Sequence, residues 1–154
     1  MAIVKNYMMR SLNSVSYDDT IEDAIVYMHK TEMPILPVVD EENHFIGTIY
    51  SKNILKNIIP EQYGFINSQR ILYDRNQAAE NLSEIKYRKV EEYMITKTDT
   101  VLERDNMDKI ADIMLNNKES YLFVTNDEGY LRGYISRGDL LYYLLCTAGE
   151  CSFE

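Results

Sequence analysis

Apolar residues fall at Ile21, Ala24, Ile25 and Met28, directly after the polar run Asp18-Asp19-Thr20. Positions i, i+3, i+4 and i+7 share one face, so the spacing predicts an amphipathic helix. Asp19 followed by Glu22 has capping-box spacing, with Asp in place of the usual Ser or Thr. The pattern then changes. Ile35-Leu36-Pro37-Val38-Val39 is short and almost wholly apolar, as expected of a strand buried on both faces. The polar turn Asp40-Glu41-Glu42-Asn43 leads into a second apolar run, Phe45 to Ile49, and a short helix is predicted from Ser51 to Ile59. With the short segment ahead of the first helix, the order is β-α-β-β-α.

The same pattern returns 86 residues later. Tyr7-Met8 recurs as Tyr93-Met94, Gly47 as Gly133 and Ile49 as Ile135. Val15/Val101, Asp19/Asp105, Met28/Met114, Leu36/Leu122, Val38/Val124 and Glu42/Glu128 match in the same register, without a gap from Tyr7 to Leu55 and from Tyr93 to Leu141. Met107, Ile110, Ala111 and Met114 repeat the helical face, with Asp105 and Asp108 as its capping pair. Tyr121 to Thr125 and Tyr130 to Ile135 repeat the strands. Asp127-Glu128-Gly129 is a good hairpin turn, because Gly129 takes positive φ cheaply. A helix from Arg137 to Leu145 closes the second unit. A duplication of this size predicts two half-sites facing each other, with the function between them.

The repeats divide the chain into a first copy over 1–60, a linker over 61–88, a second copy over 89–146 and a tail over 147–154. The linker has no counterpart after the second copy and exceeds an ordinary connection. Within it, Asn76 to Ile85 predicts one amphipathic helix with Ala78, Ala79, Leu82 and Ile85 on one side. Tyr63, Phe65, Ile71, Leu72 and Tyr73 are too apolar for a plain flexible tether and are expected to pack on the domain or on a partner chain.

Composition narrows the function. In 154 residues, 45% are hydrophobic, enough for a sizeable core. No run approaches the roughly 18 apolar residues of a membrane span, and Met1 to Arg10 lacks a signal-peptide core, so a soluble cytoplasmic protein is expected. The formal net charge is −9, from 25 acidic and 16 basic residues. That field disfavours nonspecific nucleic-acid binding but leaves room for a small anionic ligand held by local donors. Cys146 and Cys151 make no zinc set by themselves and read as a reduced pair, with a disulfide inside the tail as the alternative. His29 and His44 lack metal-ligand neighbours and read as surface residues. The acidic turns are explained by capping, so no metal site is expected. No nucleophile elbow, phosphate-binding Walker loop or His–carboxylate arrangement supports catalysis.

The informative motif is Gly133-Tyr134-Ile135-Ser136-Arg137-Gly138-Asp139-Leu140-Leu141. A strand ending at Ile135 and a helix starting near Ser136 leave free N–H groups pointing outward, a geometry that favours an anion. Ser136 can donate to a phosphate, and Asp139, one turn on, can accept from two vicinal hydroxyls such as those of a ribose. The same pair is also an ordinary helix cap. Both readings stand on these residues alone.

The duplicated β-α-β-β-α unit resembles a tandem pair of CBS domains, the Bateman module. The likeness covers nearly the whole chain outside the linker and tail. It is carried by Leu36-Pro37-Val38-Val39-Asp40 and by the Gly-x-x-[Ser/Thr]-x-x-Asp junction at Gly133, Ser136 and Asp139. The resemblance implies an α+β fold with two repeats packed about a pseudo-twofold axis. It implies a non-enzymatic regulator that binds an adenosyl ligand: AMP, ADP, ATP, S-adenosylmethionine or a cyclic dinucleotide. Asp139 would hold the ribose and Ser136 the phosphate, with Arg137 as an additional phosphate partner. Thr98, Asp99, Thr100 and Val101 would line the base pocket through backbone groups, and Tyr121, Leu122 and Phe123 would supply an apolar wall. No cofactor is required for such a role. A homodimer burying the helices is implied, with Leu140 to Leu145 as part of its surface, together with a protein target of unknown identity.

The first repeat departs from this pattern. Tyr50 stands at the position of Ser136, and Asn53 at that of Asp139. Asn keeps hydrogen bonds but loses the charge that favours a double hydroxyl donor. Tyr50 is bulky enough to fill a phosphate position or to stack on a base. Ser51 and Lys52 offer a displaced hydroxyl and a positive charge. The weaker half-site would therefore comprise Asn13, Ser14, Val15, Ile35, Leu36, Tyr50, Ser51, Lys52 and Asn53. The rival expectation is an assembly module whose clefts are filled by side chains and bind no nucleotide.

Overall fold

The computed structural model describes residues 2–10, 13–59, 75–117 and 119–149. The first repeat forms β1 (Val15–Ser16), α1 (Ile21–Thr31), β2 (Ile35–Val39), β3 (Phe45–Tyr50) and α2 (Ser51–Ile58). After α3 (Arg75–Ile85), the second forms β4 (Thr100–Leu102), α4 (Met107–Asn117), β5 (Tyr121–Thr125), β6 (Leu131–Ser136) and α5 (Arg137–Thr147). Each repeat has its own three-stranded sheet, ordered β1-β2-β3 and β4-β5-β6. The first two strands of each run parallel, as a strand–helix–strand crossover requires. The fold is α+β. The helix expected from Asn76 to Ile85 is present as α3. Tyr63, Phe65, Ile71, Leu72 and Tyr73 lie outside the described residues.

The helices start one residue later than the capping pattern suggested. Thr20, not Asp19, caps α1: its hydroxyl accepts from Asp23 N (3.1 Å), and Asp23 Oδ2 accepts from Thr20 N (3.1 Å). In the second repeat, Asn106 Oδ1 accepts from Lys109 N at 3.0 Å. The repeated aspartates have another task. Asp19 Oδ2 accepts from Ser16 N and Asp105 Oδ2 from Leu102 N, both at 2.8 Å, which ties each strand end to the turn before its helix. Asn43 (φ 68°) and Gly129 (φ 87°) occupy equivalent left-handed positions in the two hairpin turns, where Asn and Gly are the residues that adopt them cheaply.

The chain separates into two compact units that cut across the linear repeats. One comprises Ser14–Asp40 and Ile46–Lys97; the other comprises Met1–Asn13, Glu41–Phe45 and Thr98–Glu154. The segment leading into each repeat is thus built into the unit formed around the other. In the unit containing Thr98–Glu154, Val4 N donates to Asp105 O (2.8 Å), Met107 N to Ala2 O (3.1 Å), and Met9 and Tyr134 exchange backbone bonds at 2.8 and 3.0 Å. In the other unit the same bonds recur 86 positions on. Val90 N donates to Asp19 O (2.8 Å), Ile21 N to Arg88 O (2.9 Å), and Ile95 and Thr48 exchange bonds at 2.8 and 2.9 Å.

This packing explains two of the most obvious repeated features together. A Cβ on Gly133 would meet Met9 O and, at 2.8 Å, Met8 Cε; a Cβ on Gly47 would meet Ile95 O and Met94 Sδ, both at 3.0 Å. Each glycine makes room for the incoming Tyr-Met segment, so glycine and Tyr-Met recur as a pair. Val4 and Val90, on the short 3₁₀ turns Val4–Asn6 and Val90–Glu92, are both fully buried anchors.

In the unit with Thr98–Glu154, the core gathers Val4, Met8, Val101, Met107, Ile110, Leu122 and Ile135 between the sheet and helices α4 and α5. The tip of the first hairpin also packs there: Phe45 N donates to Gly129 O (3.0 Å), and His44 stacks on Tyr130 with ring centroids 4.5 Å apart. Cys146 is disulfide-bonded, which corrects the expectation of a reduced pair. The chain's one other cysteine, Cys151, lies outside the described residues. Among the described residues no helix is long and apolar enough to cross a membrane, and no three His, Cys, Asp or Glu side chains are placed to hold a metal ion.

Candidate functional site

Alternation along β5 and β6 sorts the second-repeat candidates. Leu122 and Ile135 point into the core beneath the helices, so Phe123 and Tyr134, and Tyr121 and Ser136, point to the opposite face. Thr100 pairs with Phe123 and joins that face, whereas Val101 is a core residue. Of the residues proposed to line a base pocket, Thr100 and Tyr121 can therefore present side chains, whereas Phe123, on the same face, is buried beside Phe45. Leu122 cannot serve as an apolar wall, because its side chain fills the core; Val101 can contribute through its backbone alone. Thr98 precedes β4, and the adjacent Asp99 is held by Asn117 Nδ2, which donates to its Oδ2 at 2.6 Å.

Ser136 and Asp139 close this face at its helical end. Ser136 is the N-cap of α5, with extended backbone, and forms a reciprocal capping box with Asp139. Ser136 N (2.9 Å) and Ser136 Oγ (3.0 Å) both donate to Asp139 Oδ2, and Asp139 N approaches Ser136 Oγ at 3.4 Å. Asp139 as a residue is only 9% exposed. Two donors occupy Oδ2, while Oδ1 has no protein hydrogen bond among the described residues. Each carboxylate oxygen carries two lone pairs, so Oδ1 alone can accept from two vicinal hydroxyls. The cap and the ligand reading are therefore compatible.

Tyr134 is a member of this face that the motif reading passed over. It lies edge-to-face with Tyr121, ring centroids 5.7 Å apart. Burial pushes its phenol pKa upward, and the negative charge of Asp139 and the nearby Tyr121 add to the shift. The sequence signal was its place two residues before Ser136, on the same side of the strand.

Arg137 is turned away from a phosphate role at its ε-nitrogen. Its Nε donates to Glu119 O (3.2 Å) and its backbone N to Ser120 O (3.3 Å), tying α5 to the start of β5. The equivalent backbone tie in the first repeat runs from Ser51 N to Pro34 O at 2.9 Å.

The first-repeat candidates form a different surface. Tyr50 occupies the N-cap of α2 without a side-chain capping bond, and the Lys52 ammonium lies 5.5 Å from the centre of its ring. Asn53 is half-buried at the position of Asp139, and its carbonyl accepts from Asn57 Nδ2 at 2.7 Å. Leu36 is fully buried and Val15 nearly so, which leaves Ile35 and Ser14 partly accessible. Asn13 belongs to the other compact unit, separately from Ser14. An open apolar groove of about 490 Å³ lies along α1, α2 and α3, lined by Met28, Met33, Ile54, Leu55 and Leu82 among others. Of the half-site candidates it includes only Ser51, so this cavity is a helix-packing groove rather than the predicted site. A smaller cavity of about 310 Å³ near Lys5 and Glu103 holds Arg104, whose guanidinium is paired with Asp127 at 2.9 Å.

A family profile for the CBS domain matches residues 4–60 and 90–146, more than half the chain. The chain belongs to the CBS-domain family. It is 26% identical over 141 residues to the uncharacterized protein MJ1225 of Methanocaldococcus jannaschii, covering 92% of this chain and 46% of that protein, so it spans about half the length of that relative. The fold is similar to the crystal structure of the CBS-pair protein CBSX2 from Arabidopsis thaliana (TM-score 0.77, 19% identity, 97% of this chain and 99% of that one). It is also similar to CBSX2 in complex with AMP (TM-score 0.72, 20% identity, 96% and 99%). At these identities the structural likeness speaks for the fold.

Proposed function

We propose that this CBS pair is a non-enzymatic regulatory module that binds an adenosyl ligand (AMP, ADP, ATP or a relative such as S-adenosylmethionine or a cyclic dinucleotide) at the Ser136–Asp139 half-site. The observation that carries the reading is the divided carboxylate of Asp139, a largely buried residue: Oδ2 serves the helix cap, and Oδ1 is left for a ribose diol. The N-terminal N–H groups of α5 suit the phosphate, toward which the Ser136 hydroxyl can turn from Asp139 Oδ2, and Thr100, Tyr121 and Tyr134 offer the base a partly aromatic surface. The AMP complex of the structurally similar CBSX2 supports an adenosyl ligand class. Ligand held at this half-site would shift the geometry of a homodimer, which a protein target reads. Such a shift needs different affinities for the two states, since equal affinity moves no equilibrium.

Calorimetry against the adenosyl panel tests this reading. Binding by the native chain is expected, weakened by Asp139→Asn far more than by Asn53→Ala. A chain that binds none of the panel would refute it.

The second reading is a ligand-free assembly module, and one observation favours it for the first repeat. Tyr50 and Lys52 already occupy each other where Ser136 stands in the second repeat. Under this reading, no member of the panel raises the melting temperature.

A further inference from the structure

Backbone pairing carries one row of side chains across the unit that contains Thr98–Glu154. Thr100 pairs with Phe123, Phe123 with Tyr134, and Tyr134 with Met9. Met9 and Tyr134 exchange both backbone bonds, at 2.8 and 3.0 Å, so they are directly opposed. Side chains of such a pair share a face, with Cα atoms about 5.5 Å apart. Alternation along the leading segment agrees, since Met8 lies in the core and Met9 therefore points to the other side. That side is the face of Tyr121, Tyr134 and Ser136. Met9 reaches it from the opposite end of the sequence, yet within the same compact unit.

A single exposed methionine is ordinary at a protein surface. Met9, 44% exposed, is set apart by its neighbours. Phe123, on one side of Tyr134 in the row, is buried and packs against Phe45, with ring centroids 5.9 Å apart. The neighbour of Tyr134 that stays open in this row is Met9, and Ser136 stands two residues further along β6. The first repeat supplies an internal comparison. Thr48 and Ile95 hold the equivalent positions and exchange the same backbone bonds, but Thr48 is only 1% exposed. The two copies thus differ at Met9/Ile95 and Tyr134/Thr48 as well as at Ser136/Tyr50 and Asp139/Asn53, and the departures gather around one face.

We infer that the Met9 thioether is a wall of the base subsite, met by a base that lies on Tyr134. This wall rests on the adenosyl reading of the Ser136–Asp139 half-site and deepens it, adding a residue from the segment ahead of the first repeat. A thioether is polarisable and packs favourably against an aromatic ring, and its unbranched chain adapts to the ring it meets. It donates no hydrogen bond and accepts only weakly, so Met9 holds the base by surface contact while Asp139 holds the ribose.

Methyl NMR of the full chain, isotope-labelled at its methionine methyl groups, reads this contact directly. The Met9 signal is the one lost in Met9→Leu. AMP is expected to move it, because the ring current of a base acts on a methyl beside it, and to leave the Met8 methyl, buried in the core, in place. Ribose phosphate, which lacks the base, is expected to move neither. By calorimetry Met9→Ala is expected to weaken AMP binding roughly two- to tenfold, as for a lost sulfur–aromatic contact. Met9→Leu, which keeps the volume, is expected to retain most of the affinity. The pairing with Tyr134 uses backbone alone, and thermal unfolding checks that both variants fold. In a chain that binds AMP, an unmoved Met9 methyl, the same shift with ribose phosphate, or native affinity in Met9→Ala would each overturn the proposal and leave the ligand reading standing. A native chain that binds neither AMP nor any other of the adenosyl panel would overturn the ligand reading itself, and this subsite with it.

Discussion

Alanine at Gly133 should destabilise the protein far more than alanine at Gly47, although the two glycines are equivalent in sequence. At Gly133 the new Cβ would fall on the Met9 carbonyl oxygen, 2.8 Å from Met8 Cε and 3.1 Å from Arg10 Cα, at a φ of +153° that L-residues rarely adopt. Two of these three neighbours are backbone atoms, so the crowding cannot be relieved by a side-chain rotation. Overpacking of this kind costs about 1–3 kcal/mol, and the backbone conformation adds about 1–3 kcal/mol. At Gly47 the nearest atoms lie 3.0 Å away, one of them the flexible Met94 Sδ, and no positive φ is involved. About 1 kcal/mol is expected there. For a chain of this size each kcal/mol lowers Tm by about 2–4 °C. Thermal unfolding followed by circular dichroism should thus show a drop of roughly 4–24 °C for Gly133→Ala and roughly 2–4 °C for Gly47→Ala. Amide exchange at Met9 and Tyr134 should accelerate in the first variant only, since those two residues share the displaced backbone pair. Equal losses of Tm, or a Gly133→Ala protein with both amides still protected, would refute the exchanged-segment packing.

Other outcomes follow from the same geometry. Deleting Met1–Arg10 should loosen the unit around β4–β6, which contains Val4 and Met8, while amides of α1 and β2 keep their protection; loosening of α1 first would contradict the division of units. Thr20→Ala should cost about 1 kcal/mol in chemical denaturation, as for other lost helix caps; Glu22→Ala, outside the observed capping box, should cost little. Tyr134 should ionise at higher pH than an ordinary tyrosine. Because its folded pKa is raised above the unfolded value near 10, its contribution to stability is whole below pH 10 and is lost as pH rises through the folded pKa. A tyrosinate difference spectrum between the native chain and Tyr134→Phe should place the missing transition at the alkaline end, and a missing transition at or below the ordinary value would contradict the role assigned to burial and Asp139.

Much of this was legible in the sequence. The helical spacing of Ile21, Ala24, Ile25 and Met28 and the strict 86-residue register carried the element order, and Gly129 marked its turn. The offset of the caps was hidden because Asp19/Glu22 and Thr20/Asp23 share the same spacing of three, and only coordinates show which hydroxyl or carboxylate reaches the backbone. The facing of Leu122 was hidden because Tyr121-Leu122-Phe123-Val124 is apolar throughout and so carries no alternation to read. The exchange of leading segments was hidden for a deeper reason. Met8 and Met94 are equivalent in sequence, so packing each on its own repeat or on the other leaves the same periodicity. The glycines recorded the answer, since Gly133 and Gly47 are where the crossing segments demand space. At the candidate site, the motif pointed to Ser136 and Asp139, while Tyr134 emerged only once β6 had a face.

The central claim, that the Ser136–Asp139 half-site binds an adenosyl ligand, meets its most direct test in isothermal titration of the native chain, Asp139→Asn and Asn53→Ala with AMP and ATP. Losing the charged acceptor of a ribose diol should weaken binding by roughly tenfold or more, as for hydrogen bonds to charged groups worth about 1.5–3 kcal/mol. Asn53→Ala should change it by less than about threefold, within the scatter of surface substitutions. Heat of binding unchanged in Asp139→Asn, or lost equally in both variants, would contradict the account.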